Sequence, residues 1–343
     1  MPTTRKRAPR PGDLIKAVIA GDEETVRRII DEGGFPLNNE RDDKGRTALV
    51  YAAVAGHESI ASLLIEKGGV NLCEARTNDG TTALMVAALH GRESIARQLL
   101  GVVGADRGGV HARDTYGTTA LTMAAKQGHE STARLLIENG SDVNAKTLKK
   151  GVTALSISSW KGHESVVCLL LEKGADVNVR SVDGSTALMR AAERGHESIA
   201  RLLLENGSDV VRRPSDGKSP LECAALSRHV PTIRLLIEKR NESVKDDGPE
   251  TELDNTLALT AAATSGCEEA FHAILTGPRM TISRSNISRA VQTLMKKVKE
   301  KQNTPVRDHA RSVQKVIDED KEQLPDGLYV KLCGINKRAY DEI

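Results

Sequence analysis

The 343-residue sequence has almost no aromatic residues: one Trp, four Tyr and two Phe make up 2% of it. Large rings are therefore excluded as the basis of a core, and the 39% of hydrophobic residues must pack as Ala, Leu, Ile and Val in close contact. Cysteine is sparse too. Cys73, Cys168, Cys223, Cys267 and Cys333 are odd in number, widely separated and without a CxxC pair, which argues against a disulfide framework and for a reducing, intracellular compartment. No window approaches the roughly 18 consecutive apolar residues of a membrane span, and no apolar run follows the N-terminal charges as in a secretory leader. The expected location is the cytoplasm, and the nucleus as well if "RKRAPR" at Arg5–Arg10 acts as an import signal.

Net charge is low, at +2, but unevenly spread. The first 12 residues carry +4 and residues 279–343 carry +5, which leaves the middle of the chain at −7. Basic ends on an acidic body are the pattern of solvated tails, and secondarily of contact with an anionic partner.

What the sequence has in abundance is itself. "GHESIA" stands at Gly56–Ala61 and again at Gly195–Ala200. Aligning on this motif gives glycine at 21, 56, 91, 128, 162 and 195, Arg228 at the seventh register and Gly266 at the eighth, with spacings of 33 to 38 residues. A second marker, "TAL", begins at Thr47, Thr82, Thr119, Thr153 and Thr186 and becomes "SPL" at Ser219. A fixed period of this length marks stacked supersecondary units rather than a closed globule.

Residues 183–212 illustrate one unit. Asp183-Gly184 suits a tight turn, since glycine adopts positive φ without a steric penalty. Thr186 is placed to cap a first helix whose Leu188, Ala191 and Ala192 share a face, and Gly195 ends that helix. A second helix carries Ile199, Ala200, Leu202 and Leu203 and stops at Gly207. Such short helices are marginal in isolation, below the roughly 12 to 15 residues needed in water, so neighbouring units must supply their burial. Alanine pairs at 52/53, 87/88, 124/125, 191/192 and 224/225 remove the side-chain bulk that would keep neighbours apart.

These features resemble the ankyrin-repeat family, whose units read Asp-Gly, Thr-Pro-Leu-His, Ala-Ala, Gly-His, Leu-Leu and Gly-Ala-Asp-Val-Asn. Here "GADVN" stands at Gly174–Asn178 and "GSDVN" at Gly140–Asn144. The family proline is alanine in five of six units, and its helix-start histidine is replaced by Val50, Met85, Thr122, Ser156, Met189 and Glu222. The resemblance implies an all-α repeat solenoid, an ankyrin-like stack of helix pairs with short β-turn hairpins. The expected organisation is a basic N-terminus at 1–12, an array of about eight units at 13–278 and a C-terminal helical and irregular extension at 279–343. The first and last units, from Leu14 and Leu257, are degenerate caps, the last preceded by an acidic connector at 241–254. Ile287, Ala290, Val291, Leu294 and Val298 predict an amphipathic helix after Pro278, a weaker helix is predicted over 306–318, and 325–343 reads as irregular.

The repeated His-Glu pair invites a catalytic or metal reading, which spacing excludes. A zinc helix needs HExxH, and the residue four after His57 and His196 is alanine. Successive copies also lie a repeat apart, roughly 8 to 10 Å, too far to share one ion. The histidines at 57, 129, 163, 196 and 229 read instead as structural, bonding loop backbone at the start of helix two, with the following glutamates favoured by the helix dipole. The sequence contains no P-loop, no GxGxxG after a strand and no GxSxG, and the glycine pairs at 68/69 and 108/109 read as loop spacers between units. No enzyme activity, cofactor or metal is expected. The last 65 residues are too short and polar to form a catalytic domain of their own.

The resemblance implies a concave face of hairpin tips and first helices that binds a protein partner. The non-repeating residues mapped onto it include Tyr116, Lys126, Lys150, Trp160, Lys161, Arg190 and Arg194, joined by the cations closing each repeat, Arg180 and Arg213 among them. Trp160 is either a contact residue or a filler of the groove where Ser158-Ser159 replaces Ala-Ala. The expected function is a non-catalytic scaffold binding a protein partner through an acidic segment. Two other readings stand beside it: an adaptor recruiting substrate to a larger complex such as a ubiquitin ligase, and a nucleic-acid-associated regulator acting through "RKRAPR" and "MKKVKEKQ". The second lacks a recognition motif and stacking aromatics in the body of the chain.

Overall fold

The computed structural model describes residues 10, 12–32, 37, 39–103, 109–211, 217–243, 249–277 and 282–301. Among them are seventeen helices and no strand, the nearest approach to sheet being one isolated bridge between Arg41 and Thr47. The helices form eight consecutive pairs: α1 (Asp13–Ala20) and α2 (Glu23–Asp31), α3 (Ala48–Ala55) and α4 (Glu58–Cys73), α5 (Ala83–Leu89) and α6 (Glu93–Val103), α7 (Ala120–Gln127) and α8 (Glu130–Glu138), α9 (Ala154–Lys161) and α10 (Glu164–Glu172), α11 (Ala187–Arg194) and α12 (Glu197–Glu205), α13 (Pro220–Leu226) and α14 (Val230–Ser243), and α15 (Pro249–Ser265) and α16 (Glu268–Leu275). A single helix, α17 (Arg284–Lys301), follows. None of these helices is long and apolar enough to cross a membrane. The predicted helix over 306–318 and the segment 325–343 lie outside the described residues.

Residues 1–182 and 183–343 form two compact units. In the first, α1, α3, α5, α7 and α9 follow one another in a row of contacts, and α2, α4, α6, α8 and α10 form a second row. The alanine pairs do what their size allows: Ala52, Ala53, Ala87, Ala88, Ala124 and Ala125 are fully buried where first helices meet. Ser158 and Ser159 are buried as completely. Their hydroxyls donate to carbonyls of their own helix, Ser158 to Ala154 O at 2.9 Å and Ser159 to Leu155 O at 2.7 Å, so neither is left unsatisfied.

Threonine starts the first helices α3, α5, α7, α9 and α11, as predicted. The hydroxyls of Thr82, Thr119, Thr153 and Thr186 accept the N–H three residues on, as does Ser219. Thr153 and Ser156 form a reciprocal capping box. Thr47 departs from this, its hydroxyl being buried without a hydrogen bond. Two inter-unit segments differ from expectation. Gly68 and Gly69 do not form a loop: the chain stays helical to Cys73 across a kink at Gly69 (φ 59°). The acidic stretch 241–254 is helical wherever it is described, as the end of α14 and the start of α15.

The GH motif is the joint between units. Gly128 caps α7 at φ 79°, and a Cβ placed there would lie 2.6 Å from Nδ1 of His163, in the next unit. His163 Nε2 donates to Lys126 O at 3.1 Å, and His129 Nε2 to Leu89 O at 3.2 Å, so Nε2 of each ring carries a proton. Where His is replaced by Arg92, the guanidinium reaches Val54 O and Ala55 O at 3.3 and 3.2 Å. The predicted structural role therefore holds for His129 and His163, with the carbonyls at the end of the preceding unit's first helix as acceptors. The adjacent glutamates add i,i+4 ion pairs, Glu93–Arg97 at 2.7 Å and Glu130–Arg134 at 2.8 Å. The Ser59 hydroxyl of the next unit, and then Arg27, lower the Glu23 carboxyl below its usual range.

In residues 183–343 the same two rows recur, α11, α13, α15 and then α17 in one, α12, α14 and α16 in the other. Arg228, the residue at the seventh glycine register, keeps the left-handed conformation at φ 66° and donates to Ser265 O in the next unit. That conformation costs a non-glycine residue about 1–2 kcal/mol, which the hydrogen bond offsets in part. Arg240 at the end of α14 is buried beside Asp254 and Asn255 of α15, donating to Asn255 Oδ1 with Asp254 Oδ2 at 3.8 Å. Buried charge is tolerated only when partnered, so this group ties the lengthened α14 to α15. The predicted amphipathic helix is α17, which buries Ile287, Ala290 and Val291 and links to α15 through Asn286 Nδ2 and Thr256 Oγ1 at 3.3 Å. It occupies the first-helix place of a further unit and covers the apolar side of α15.

Gly128→Ala meets both the left-handed backbone and the His163 ring, and is expected to destabilise the chain by about 2 kcal/mol or more. Gly140→Ala, at φ 89° with open space around the added methyl, is expected to cost less. Urea denaturation of the two variants side by side measures the difference.

Candidate functional site

The hairpins between units are held by their own side chains. At the first, Asp42 Oδ1 accepts the N–H of Lys44 and of Arg46 at 3.0 and 2.8 Å. Its Oδ2 accepts from Arg46 Nε and from the Tyr51 hydroxyl, both at 2.8 Å. The Arg46 guanidinium also lies 4.8 Å over the Tyr51 ring. Burial alone would raise the Asp42 carboxyl, but the hydrogen bonds from Arg46 and Tyr51 outweigh it and bring the pKa down to about 2. Asp114 repeats the pattern, accepting the N–H of Tyr116 and Thr118 at 2.8 Å each. These acids are engaged inside their own turns.

Successive tips of residues 1–182 are joined by a backbone ladder. Asn78 N–H donates to Lys44 O, Thr115 to Asp79 O, Leu148 to Tyr116 O and Val182 to Lys150 O, at 2.8 to 2.9 Å. A parallel ladder uses the cation that closes each repeat. Arg41 Nη1 donates to Arg76 O at 2.6 Å, Arg76 Nη1 to Arg113 O at 2.8 Å, Arg113 Nη1 to Lys146 O at 2.8 Å and Lys146 Nζ to Arg180 O at 3.5 Å. The cations predicted as a positive strip are thus also the staples between hairpins. Bonding a neutral carbonyl does not cancel their charge.

Within residues 1–182, the predicted contact residues lie at two levels. Tyr116 and Lys150 are exposed at tips, and Lys126, Trp160 and Lys161 stand at the ends of α7 and α9, the lysines exposed and Trp160 half-buried. The ammonium of Lys149 sits 5.0 Å over the Tyr116 ring, and that of Lys161 is 4.6 Å over Trp160. Arg180 is half-buried. In residues 183–343, Arg190 is held between two acids, Nη2 at 2.6 Å from Asp183 Oδ2 and Nη1 at 3.1 Å from Glu193 Oε2, so its charge is balanced locally. Arg194 is exposed, and Arg213 lies outside the described residues.

Sequence reasoning missed Leu148 and Val182. Both are tip residues, 68% and 75% exposed, beside Tyr116 at 52%. The signal was available in the register: Asn78, Thr115 and Val182 stand two residues before a hairpin glycine. Leu148 stands three before, because its hairpin is one residue longer.

The family model described as ankyrin repeats (3 copies) matches three times, over residues 14–108, 102–181 and 178–247. No curated protein matches. Among solved structures, the ankyrin repeat domain of Bcl-3, described as a unique member of the IkappaB protein family, is 29% identical with a TM-score of 0.57, over 67% of this chain and 99% of that one. The ankyrin repeat protein EF0377 is 27% identical with a TM-score of 0.51, over 57% and 98%.

The folded pKa of Asp42, about 2, lies below the unfolded value of about 3.9, so its stabilising contribution is complete above pH 4 and lost as pH falls through 2. Asp42→Asn is expected to flatten that part of the stability–pH curve, measured by denaturant titration between pH 2 and 5.

Proposed function

The chain belongs to the ankyrin-repeat family, whose repeats mediate protein–protein interaction, and from that premise we propose that it is a non-catalytic scaffold whose hairpin tips and first-helix ends bind an acidic segment of a protein partner. The observation that carries this reading is a group of exposed lysines at the tips and first-helix ends of residues 1–182: Lys126, Lys146, Lys149, Lys150 and Lys161. Among the described residues none of them has a carboxylate partner, whereas the arginines of helices α6, α8 and α12 are ion-paired within their own helices. A cluster of unneutralised cations beside two aromatic rings raises association rates with anionic partners and repels basic ones. Tyr116 and Trp160 supply the rigid area that charge alone lacks.

Reversing charge at Lys149, Lys150 and Lys161 together to Glu is expected to weaken partner retention by about tenfold and to reduce its salt dependence. Affinity capture with mass spectrometry, wild type against variant, reads the outcome, with circular dichroism as the fold control. The same partners held equally by both would overturn the reading.

A further inference from the structure

We propose that Tyr116, Leu148 and Val182 form a docking line for an extended acidic segment carrying two apolar residues three positions apart; this rests on the reading that the tip face binds a protein partner. Exposed apolar side chains on three successive tips are 52%, 68% and 75% accessible, with the Lys149 ammonium over one of them, the Tyr116 ring. Leu148 and Val182 occupy one register in consecutive units, each donating its N–H to the preceding tip. The same register holds Asn78 and Thr115 in the earlier hairpins, so the aliphatic part of the line begins at Leu148. Tyr116 accepts the Leu148 N–H and stands directly beside it.

The ladder decides how an occupant can bind. Strand addition needs free backbone groups at an edge, and the tip amides of Leu148 and Val182 already have acceptors. Contact must therefore come through side chains. Equivalent residues of adjacent units lie roughly 8–10 Å apart, a distance that three residues of a polyproline II segment cover at about 3.1 Å each, with every third side chain on one side. A β-strand would turn the third residue to the opposite face. A helix seats in a groove, whereas Leu148 and Val182 project from a ridge.

Charge favours acids between and around the apolar pair. Lys146, Lys149 and Lys150 are exposed in the same hairpin as Leu148 and have no carboxylate partner among the described residues. The neighbouring Asp114 is turned into its own hairpin by two N–H donors. An occupant rich in Glu or Asp thus meets only uncompensated positive charge at this tip.

The test uses the full chain and short fluorescent Glu-rich peptides whose two leucines stand three, two or seven residues apart, followed by anisotropy. The three-residue spacing is expected to bind about tenfold more tightly than the others. Leu148→Ser and Val182→Ser should each remove most of that advantage without changing the circular dichroism spectrum. Equal affinity for all spacings, or unaffected binding by both variants, would overturn the proposal. Equal affinities that collapse on reversing Lys149 and Lys150 to Glu would overturn the spacing alone and leave the charge reading standing, and binding of none of the peptides would sink both. Concentration-dependent dimers that Leu148→Ser abolishes would assign the line to a second copy of the chain and likewise overturn it.

Discussion

No helix pair in this chain can bury its own apolar face, and the rest of the structure follows from the contact each pair must therefore make with the next. Most of the described helices have only seven to eleven residues, with too few internal hydrogen bonds to persist alone. With so few aromatic residues, close approach has to come from small side chains, and alanine pairs or serines that bond their own helix stand wherever first helices meet. The imidazole seated against the preceding unit's glycine sets the distance and angle of that approach. It bonds a carbonyl that the end of the first helix leaves without an intrahelical partner.

The charged residues divide by the same logic. Glutamates and arginines of the second helices satisfy one another at i,i+4 and are modest in energy, about 0.3–0.5 kcal/mol per exposed pair. Hairpin aspartates turn inward to hold turns, and the cations at the end of each repeat bond the next unit's carbonyl while retaining their charge. What is left uncompensated is a set of lysines around the Tyr116 and Trp160 rings and the exposed aliphatic side chains at the tips of residues 1–182. The repeating positions carry the stability, and the recognition chemistry proposed above rests on the ones that vary.

Much of the candidate site was legible because function in a repeat lies in departures from the period. Tyr116, Trp160 and the lysines stood out against registers occupied by other residues in neighbouring units. Leu148 and Val182 did not, since an aliphatic residue near a turn looks like core until accessibility is known. Arg190 looked like a free cation although Glu193 stands at the helical i,i+3 spacing; its other partner, Asp183, seven residues back in the hairpin, lies beyond that rule. The lengthening of α14 and α15 was obscured by the acidity of 241–254, where the buried Arg240–Asp254–Asn255 group compensates the charge.

The sequence by itself determined the period, the all-α class, the helix starts and stops of the regular units and the structural role of the His-Glu pair, because glycine, threonine and alanine at fixed intervals act through local sterics and capping. Only the tertiary structure decided which charges are free, which carbonyls the repeat-closing cations bond, and that α17 fills the first-helix place beside α15. The last two depend on groups 30 or more residues apart meeting across a seam, as Arg76 meets Arg113 and Asn286 meets Thr256. Local pattern carries no information about a partner supplied by the next turn of the stack.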